Sequence, residues 1–297
     1  PPLTTEEAQL GDRLRKHIAM LGSEIGERNV WHYEALEAAA DYIEAVFRDI
    51  GYAVSSQTYK AEGKSVRNLE VVLGGTSLPD EIILIGAHYD TVSGSPGAND
   101  NGSGVAALLE IARHLDEQTL ARSVRRVAVV NEEAPFFYTW DMGSHRYAHR
   151  ARERGDKSAA MISLETIGYY ADAKGSQQYP NPVYSWLYPD TADFIGFVGN
   201  LASRKLVRRC LHSFRRHTAF PSEGVAAPGR MMGIHWSDHW SFWQEGYPAL
   251  MVTDTALFRY PHYHASTDTP DKIDYERLAR VVTGLAKVTV DLAQSGP

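Results

Sequence analysis

Cysteine is almost absent. Cys210 stands alone among 297 residues, so no disulfide can form within the chain. A chain of this length buries enough apolar surface to fold without such staples, which leaves its redox compartment open. No apolar run approaches the ~20 residues that a membrane-spanning helix needs, and no charged-then-apolar signal segment is present. Positive charge is not in excess either. The formal net charge is −7, which argues against the basic surface on which nucleic-acid binding relies. Internal repeats and low-complexity linkers are also missing, and residues 1–297 read as a single domain. The chain opens Pro1-Pro2 without an initiator Met. Removal of an upstream signal from a secreted or periplasmic protein would account for that, and the compartment stays open.

What is present is alternation. Thr4 and Glu7 have capping-box spacing, followed by Leu10, Leu14, Ile18 and Leu21 at helical intervals. A second amphipathic helix is expected over Tyr33–Ile50, with Leu36, Ala40, Ile43 and Phe47 on one face. Extended segments follow at Tyr52–Tyr59 and Asn68–Leu73. Short apolar runs then recur at Ile82–Ile85, Val127–Val130, Ala160–Leu164 and Ala249–Val252, the mark of strands buried on both faces. Helical stretches separate them at Gly104–Leu115, Gly143–Arg154, about Asn200–His217, and Tyr275–Ala293. This order predicts an α/β fold, a three-layer sandwich around a mixed, mostly parallel sheet. Tyr170–Asp190 and Pro221–Gly233 read as long loops over that scaffold, where specificity usually resides.

Candidate metal ligands fall where such a sheet would gather them. His88 lies just past one apolar run, Glu132 and Glu133 just past the next, and Glu165 ends the third. In open α/β sheets, ligands bind outside the carboxyl ends of the strands. Between the first two comes Gly97-Ala98-Asn99-Asp100-Asn101-Gly102-Ser103-Gly104, a glycine-rich turn running into a helix. A carboxylate on such a turn can offer one oxygen to each of two metals. His264, in Tyr260-Pro261-His262-Tyr263-His264, is the fifth candidate. Two imidazoles with three carboxylates suit zinc.

His88-Tyr89-Asp90, Asn99-Asp100-Asn101-Gly102-Ser103-Gly104, Asn131-Glu132-Glu133 and Tyr263-His264 together resemble the signature of the co-catalytic zinc aminopeptidase family. That family includes glutamate-carboxypeptidase-like and glutaminyl-cyclase-like members. The resemblance runs from about residue 67 to the end of the chain, in the family's order. It implies that His88 and Glu165 serve one zinc ion, Glu133 and His264 a second, and that Asp100 bridges the two. It makes Glu132 the general base, has Asp90 orient His88 through its other ring nitrogen, and gives the Tyr263 hydroxyl to an oxyanion. It also implies a cis peptide bond between Asp100 and Asn101. The family's common ligand at the position of Glu165 is Asp, so partial filling of that site is compatible with the pattern. The implied activity is a zinc-dependent exopeptidase on peptide substrates, removing uncharged or hydrophobic N-terminal residues.

Two rival functions differ in kind. Glutaminyl-peptide cyclotransferases resemble the chain around His88, Asp100 and Glu132-Glu133, but they favour Trp before the last histidine, where this chain has Tyr263. A non-catalytic binding relative would be expected to lose ligands, and all five are retained here. His145 and His149 have metal-binding i, i+4 spacing without a helper carboxylate motif, and a solvated helix face is the expectation for them. Asp238 is either a group behind the site or a helix cap. The cluster of Arg204, Lys205, Arg208, Arg209, Arg215 and Arg216 reads as a solvated helix face. The glycosylation pattern Asn101-Gly102-Ser103 lies inside the proposed metal turn and is discounted.

Overall fold

The computed structural model describes residues 2–180 and 183–294. Helix α1 (Thr5–Ala19) begins where the capping box predicts: Thr4 Oγ1 accepts from the Glu7 amide at 3.1 Å, and Glu7 returns a carboxylate to the Thr4 amide at 2.9 Å. Helix α2 (Tyr33–Ile50) buries the predicted face and ends at Gly51, whose φ of 118° lets the chain turn away. The strands are β1 (Ser55–Ala61), β2 (Lys64–Leu73), β3 (Leu78–His88), β4 (Arg122–Val129) and β5 (Lys157–Glu165), followed by β6 (Ile195–Asn200), β7 (Ser222–Ala227) and β8 (Ala249–Thr253). Between them lie α3 (Gly102–Leu115), α4 (Gly143–Glu153), the single turn α5 (Tyr184–Leu187), α6 (Arg204–His217) and α7 (His239–Gln244); α8 (Tyr275–Gln294) closes the chain.

All eight strands join one sheet in the order β1-β2-β4-β3-β5-β8-β6-β7. The central run β4-β3-β5-β8 is parallel; on one side β2 pairs antiparallel with β4 and with β1, and on the other β6 pairs antiparallel with β8. Pleating explains why the central strands are continuously apolar. Ile83, Ile85, Ala128 and Ile162 face a layer of α1, α2, α3, α6 and α8, whereas Ile82, Leu84, Val127, Val129 and Met161 face α4 and α7. Among the described residues no helix is long and apolar enough to cross a membrane.

Two expectations need correction on the far side of the sheet. Pro221–Gly233 is not all loop, because Ser222–Ala227 forms β7, paired in parallel with β6. Strand β6 itself was not expected. Its sequence Ile-Gly-Phe-Val-Gly-Asn is broken by glycines and β7 is half-exposed, so neither carries an unbroken apolar run. The expected loop Tyr170–Asp190 contains the turn α5, and residues 181 and 182 within it lie outside the described residues.

Buried Glu110 on α3 clamps this helix to α1. It accepts from Arg13 Nε at 2.6 Å, meets His17 Nε2 at 3.1 Å and takes Arg113 Nε at 3.2 Å. Burial alone would raise its pKa, but hydrogen bonds from His17 and Arg13 hold it at about 2, against 4.5 ordinarily. A carboxylate depressed in the folded state stabilises above its unfolded pKa, and that contribution disappears as pH falls through the folded value. Urea unfolding should therefore show wild type losing on the order of 2–3 kcal/mol more than Glu110→Gln between pH 4.5 and pH 2. Parallel losses in the two proteins would contradict this role.

Candidate metal centre

Each strand end delivers its predicted residue to one edge of the sheet. His88 and Glu165 are the last residues of β3 and β5. Past β4, Asn131 adopts a left-handed φ of 59° and turns the chain, so that Glu132 and Glu133 sit over the same edge. Asp90 fixes that turn. Its Oδ1 accepts from the Glu132 amide and its Oδ2 from the Glu133 amide, both at 3.1 Å. The expected link to His88 takes a different form. His88 Nδ1 lies 3.2 Å from the Asp90 backbone carbonyl, with the nearer carboxylate oxygen at 3.6 Å. The carboxylate is occupied in presenting the two glutamates.

The Asp100 turn is held from three directions. The Asp100–Asn101 peptide bond is cis, as the resemblance implies. Asp268 accepts from the amides of Asn99 (2.8 Å) and Asp100 (3.0 Å), and is itself steadied by the Tyr260 hydroxyl at 2.6 Å. The Asn101 side chain donates to the Leu164 carbonyl at 2.7 Å and accepts from the Thr166 amide at 3.1 Å, locking the turn to the end of β5. Gly104 permits this approach, since a Cβ there would stand 2.7 Å from the Leu164 carbonyl oxygen. Beneath the turn, fully buried Arg28 donates to the carbonyls of Tyr89, Leu21, Gly26, Pro96 and Gly97. Asn101 is itself buried, out of reach of a glycosylating enzyme.

Asp100 consequently points its two oxygens at two different groups. Oδ1 lies 3.4 Å from His88 Nε2, which is also 3.3 Å from Glu165 Oε2. Oδ2 lies 3.1 Å from His264 Nε2, which is 3.3 Å from Glu133 Oε1. The longer side chain of Glu165 is folded in by a 2.8 Å hydrogen bond from Ser237 Oγ. Glu132 Oε2 stands slightly farther off, 3.8 Å from His88 Nε2. His264 reaches its place from a loop with a left-handed φ of 55°, its ring stacked on Tyr263 at 3.9 Å between centroids.

The electrostatics call for a cation. Burial and the neighbouring Asp100 push Glu133 up to about 7, against the pull of His264. Burial raises Glu132 well above the carboxylate range, with Glu165 and Glu133 adding repulsion that His88 only partly offsets. His264 is driven the other way: burial would lower it, but Asp100 and Glu133 raise it to about 10. Asp100 Oδ2 and Glu133 Oε1 are buried without a hydrogen-bond partner. His88 with Asp100 and Glu165, His88 with Glu132 and Glu133, and Asp100 with Glu133 and His264 each bring their donor atoms within 4.8 Å of one another, donor sets that fit zinc.

The other candidates sort as follows. Burial and the surrounding carboxylates hold the Tyr263 phenol well above its usual pKa, so it remains a proton donor. Asp238 stands at the N-terminus of α7 but caps nothing. Both of its buried oxygens lack a hydrogen-bond partner, and burial pushes it up to about 7, with His88, Glu165 and Asp90 near enough to act on it. His145 and His149 lie apart from the candidate ligands, each edge-on to Trp140, with His149 Nδ1 3.1 Å from Glu245. His262 turns away to Thr267. Arg28, Asp268 and Ser237 were not expected in any site role. Their partners are backbone groups or side chains distant in sequence, although Ser237 adjoins Asp238, which the sequence had singled out.

Beside Glu165 and Tyr263 opens a pocket of about 130 Å³. Phe194, Met232, Trp236 and Phe258 contribute apolar walls, and Tyr179, Tyr184 and Tyr188 join them from the loop expected to carry specificity. Trp186, 87% exposed, does not contribute. Asp268→Ala should strip two amides of their acceptor, a loss of roughly 1–3 kcal/mol, and loosen Asp100. Calorimetric zinc titration should read a weakening of at least tenfold; unchanged affinity would show that the turn holds without Asp268.

The model of peptidase family M28 matches residues 68–289. Escherichia coli YfbL, described as uncharacterized, is 40% identical over 282 residues, covering 92% of this chain and 86% of its own. Leucine aminopeptidase 1 of Arthroderma otae is 24% identical over 221 residues, 69% of this chain and 53% of its own; this chain thus spans about half the length of such leucine aminopeptidases. Among solved structures, Legionella pneumophila LapA aminopeptidase shares the fold at a TM-score of 0.77 and 20% identity, over 98% of this chain and 74% of that one. BSAP, a zinc aminopeptidase from Bacillus subtilis, does so at 0.76 and 16%, over 96% and 95%. The chain belongs to peptidase family M28, a metallopeptidase-type hydrolase whose buried histidine and carboxylate clusters suit zinc.

Proposed function

We propose that the protein is a two-zinc aminopeptidase that hydrolyses the first peptide bond of substrates with a free amino terminus. The observation that carries this reading is the divided aim of Asp100, one oxygen toward His88 and Glu165 and the other toward Glu133 and His264. His88 and Glu165 would hold one ion, Glu133 and His264 the other, and Asp100 would be shared. Zinc, when bound, supplies Lewis acidity that polarises a carbonyl oxygen and lowers the pKa of water to about 7.

The remaining work belongs to side chains. Glu132 lies beside the His88 group, with its backbone fixed by Asp90. It takes a proton from the attacking water as the new C–O bond forms, and passes that proton to the amine as the C–N bond breaks. The Tyr263 hydroxyl donates to the oxygen that gains negative charge. Recognition of the amino end follows from charge. The pocket is bordered by Glu165 and contains no Lys or Arg among its described lining residues, so an α-ammonium is favoured there and a terminal carboxylate repelled. Its apolar walls favour an apolar side-chain stem on the first residue.

Leucine p-nitroanilide should be cleaved by the zinc-loaded protein, not by the chelated protein, and N-acetylation should suppress cleavage. Equal rates on free and acetylated substrate would sink the amino-terminal reading, and pyroglutamate formation from N-terminal Gln without hydrolysis would point to a cyclase. Glu132→Gln should keep its zinc and lose about 10²–10⁴ in kcat. Loss of zinc in that variant would make Glu132 a ligand instead.

A further inference from the structure

The pairing register connects the metal edge to the far end of the pocket. Glu165 of β5 pairs with Thr253 of β8, Thr253 with Gly196 of β6, and Gly196 with Glu223 of β7. Residues paired in register project from the same face of a sheet. All four line the pocket. Glu165 and Glu223 therefore mark the two ends of one trough, three strand spacings or about 14 Å apart at their Cα atoms. Between them lie Thr253 and Gly196, and Gly196 contributes no side chain, so the floor is open next to Glu223.

Glu223 is anomalous in this setting. The walls around it are aromatic and aliphatic, yet it places a carboxylate among them, close to Tyr179, Tyr184 and Tyr188. Among the described residues the cation paired with it is Arg215, whose Nη2 lies 3.8 Å away and is already bonded to the Ser222 carbonyl, while Nε donates to Ser222 Oγ at 3.1 Å. Among the described residues no hydrogen bond reaches the Glu223 carboxylate. A carboxylate at the end of an apolar channel that three tyrosines also line suits an aliphatic stem that ends in a cation.

We propose that Glu223 is a specificity-determining residue: it receives the ammonium or guanidinium of an N-terminal Lys or Arg whose stem lies over Gly196, and it repels acidic first residues. This rests on the aminopeptidase reading and sharpens it, since the walls accept an apolar stem and Glu223 selects the tip.

The test is kcat/KM of the zinc-loaded protein on leucyl, lysyl, arginyl and glutamyl p-nitroanilides, for wild type, Glu223→Gln and Glu223→Lys. Wild type should cleave the lysyl and arginyl substrates within about tenfold of the leucyl one, and the glutamyl substrate far more slowly. A charge-assisted contact predicts that Glu223→Gln lowers the lysyl-to-leucyl ratio about tenfold or more. Glu223→Lys should reverse the order of lysyl and glutamyl substrates. These ratios do not depend on how much of a variant folds. A lysyl-to-leucyl ratio unmoved by Glu223→Gln, or a wild type that cleaves leucyl but neither basic substrate, overturns the assignment of Glu223. Failure to cleave any anilide, leucyl included, overturns the aminopeptidase reading and this inference with it.

Discussion

Uncompensated negative charge at the carboxyl edge of the sheet is the constraint from which the rest of the molecule follows. Asp90, Asp100, Glu132, Glu133, Glu165 and Asp238 are all buried there, faced by His88 and by the more open His264. Carboxylates so crowded are costly unless something neutralises them. Much of the surrounding polar framework keeps them apart and aimed. Asp90 carries the two glutamates, Asp268 and Asn101 carry the Asp100 turn, Ser237 restrains Glu165, and Arg28 gathers the carbonyls below. These supports are hydrogen bonds made by buried side chains, most of them to backbone groups, which is what a metal site needs if its ligands are to be held before an ion arrives.

The same geometry divides labour along the sheet. Parallel strands β3 and β5 end on candidate ligands, whereas the added strands β6 and β7 extend the sheet sideways and floor a pocket. The candidate ligands and the pocket thus share one edge of the sheet, and Glu165 of β5 belongs to both. Tyr179, Tyr184 and Tyr188 on one side and Met232, Ile234 and Trp236 on another complete the walls from segments that contribute none of the candidate ligands.

Much of this was legible in the sequence. Apolar runs such as Ile82–Ile85 announced buried central strands, and the residues at their carboxyl ends, the candidate ligands, do gather at one edge. The glycine-rich turn around Asp100 was legible because its backbone demands are local. Illegible parts have a common physical character. Strands β6 and β7 are held by position in the sheet rather than by apolar pattern, with glycines in both. Arg28 and Asp268 act on backbone groups of residues 89–100, a role that leaves no periodicity behind. The role of Asp90 was legible only in part, since its neighbourhood with His88 is local but its grip on Glu132 and Glu133 is not.

The central claim is that Asp100 serves two ions at once. Isothermal titration of chelator-stripped protein with Zn²⁺, backed by elemental analysis after dialysis, addresses it most directly. The account predicts about two zinc ions per chain for wild type, and loss of affinity at both sites in Asp100→Ala, against loss of one ion only in His264→Ala. A wild-type protein that saturates at one ion, or an Asp100→Ala variant that keeps one site at full strength, would contradict it.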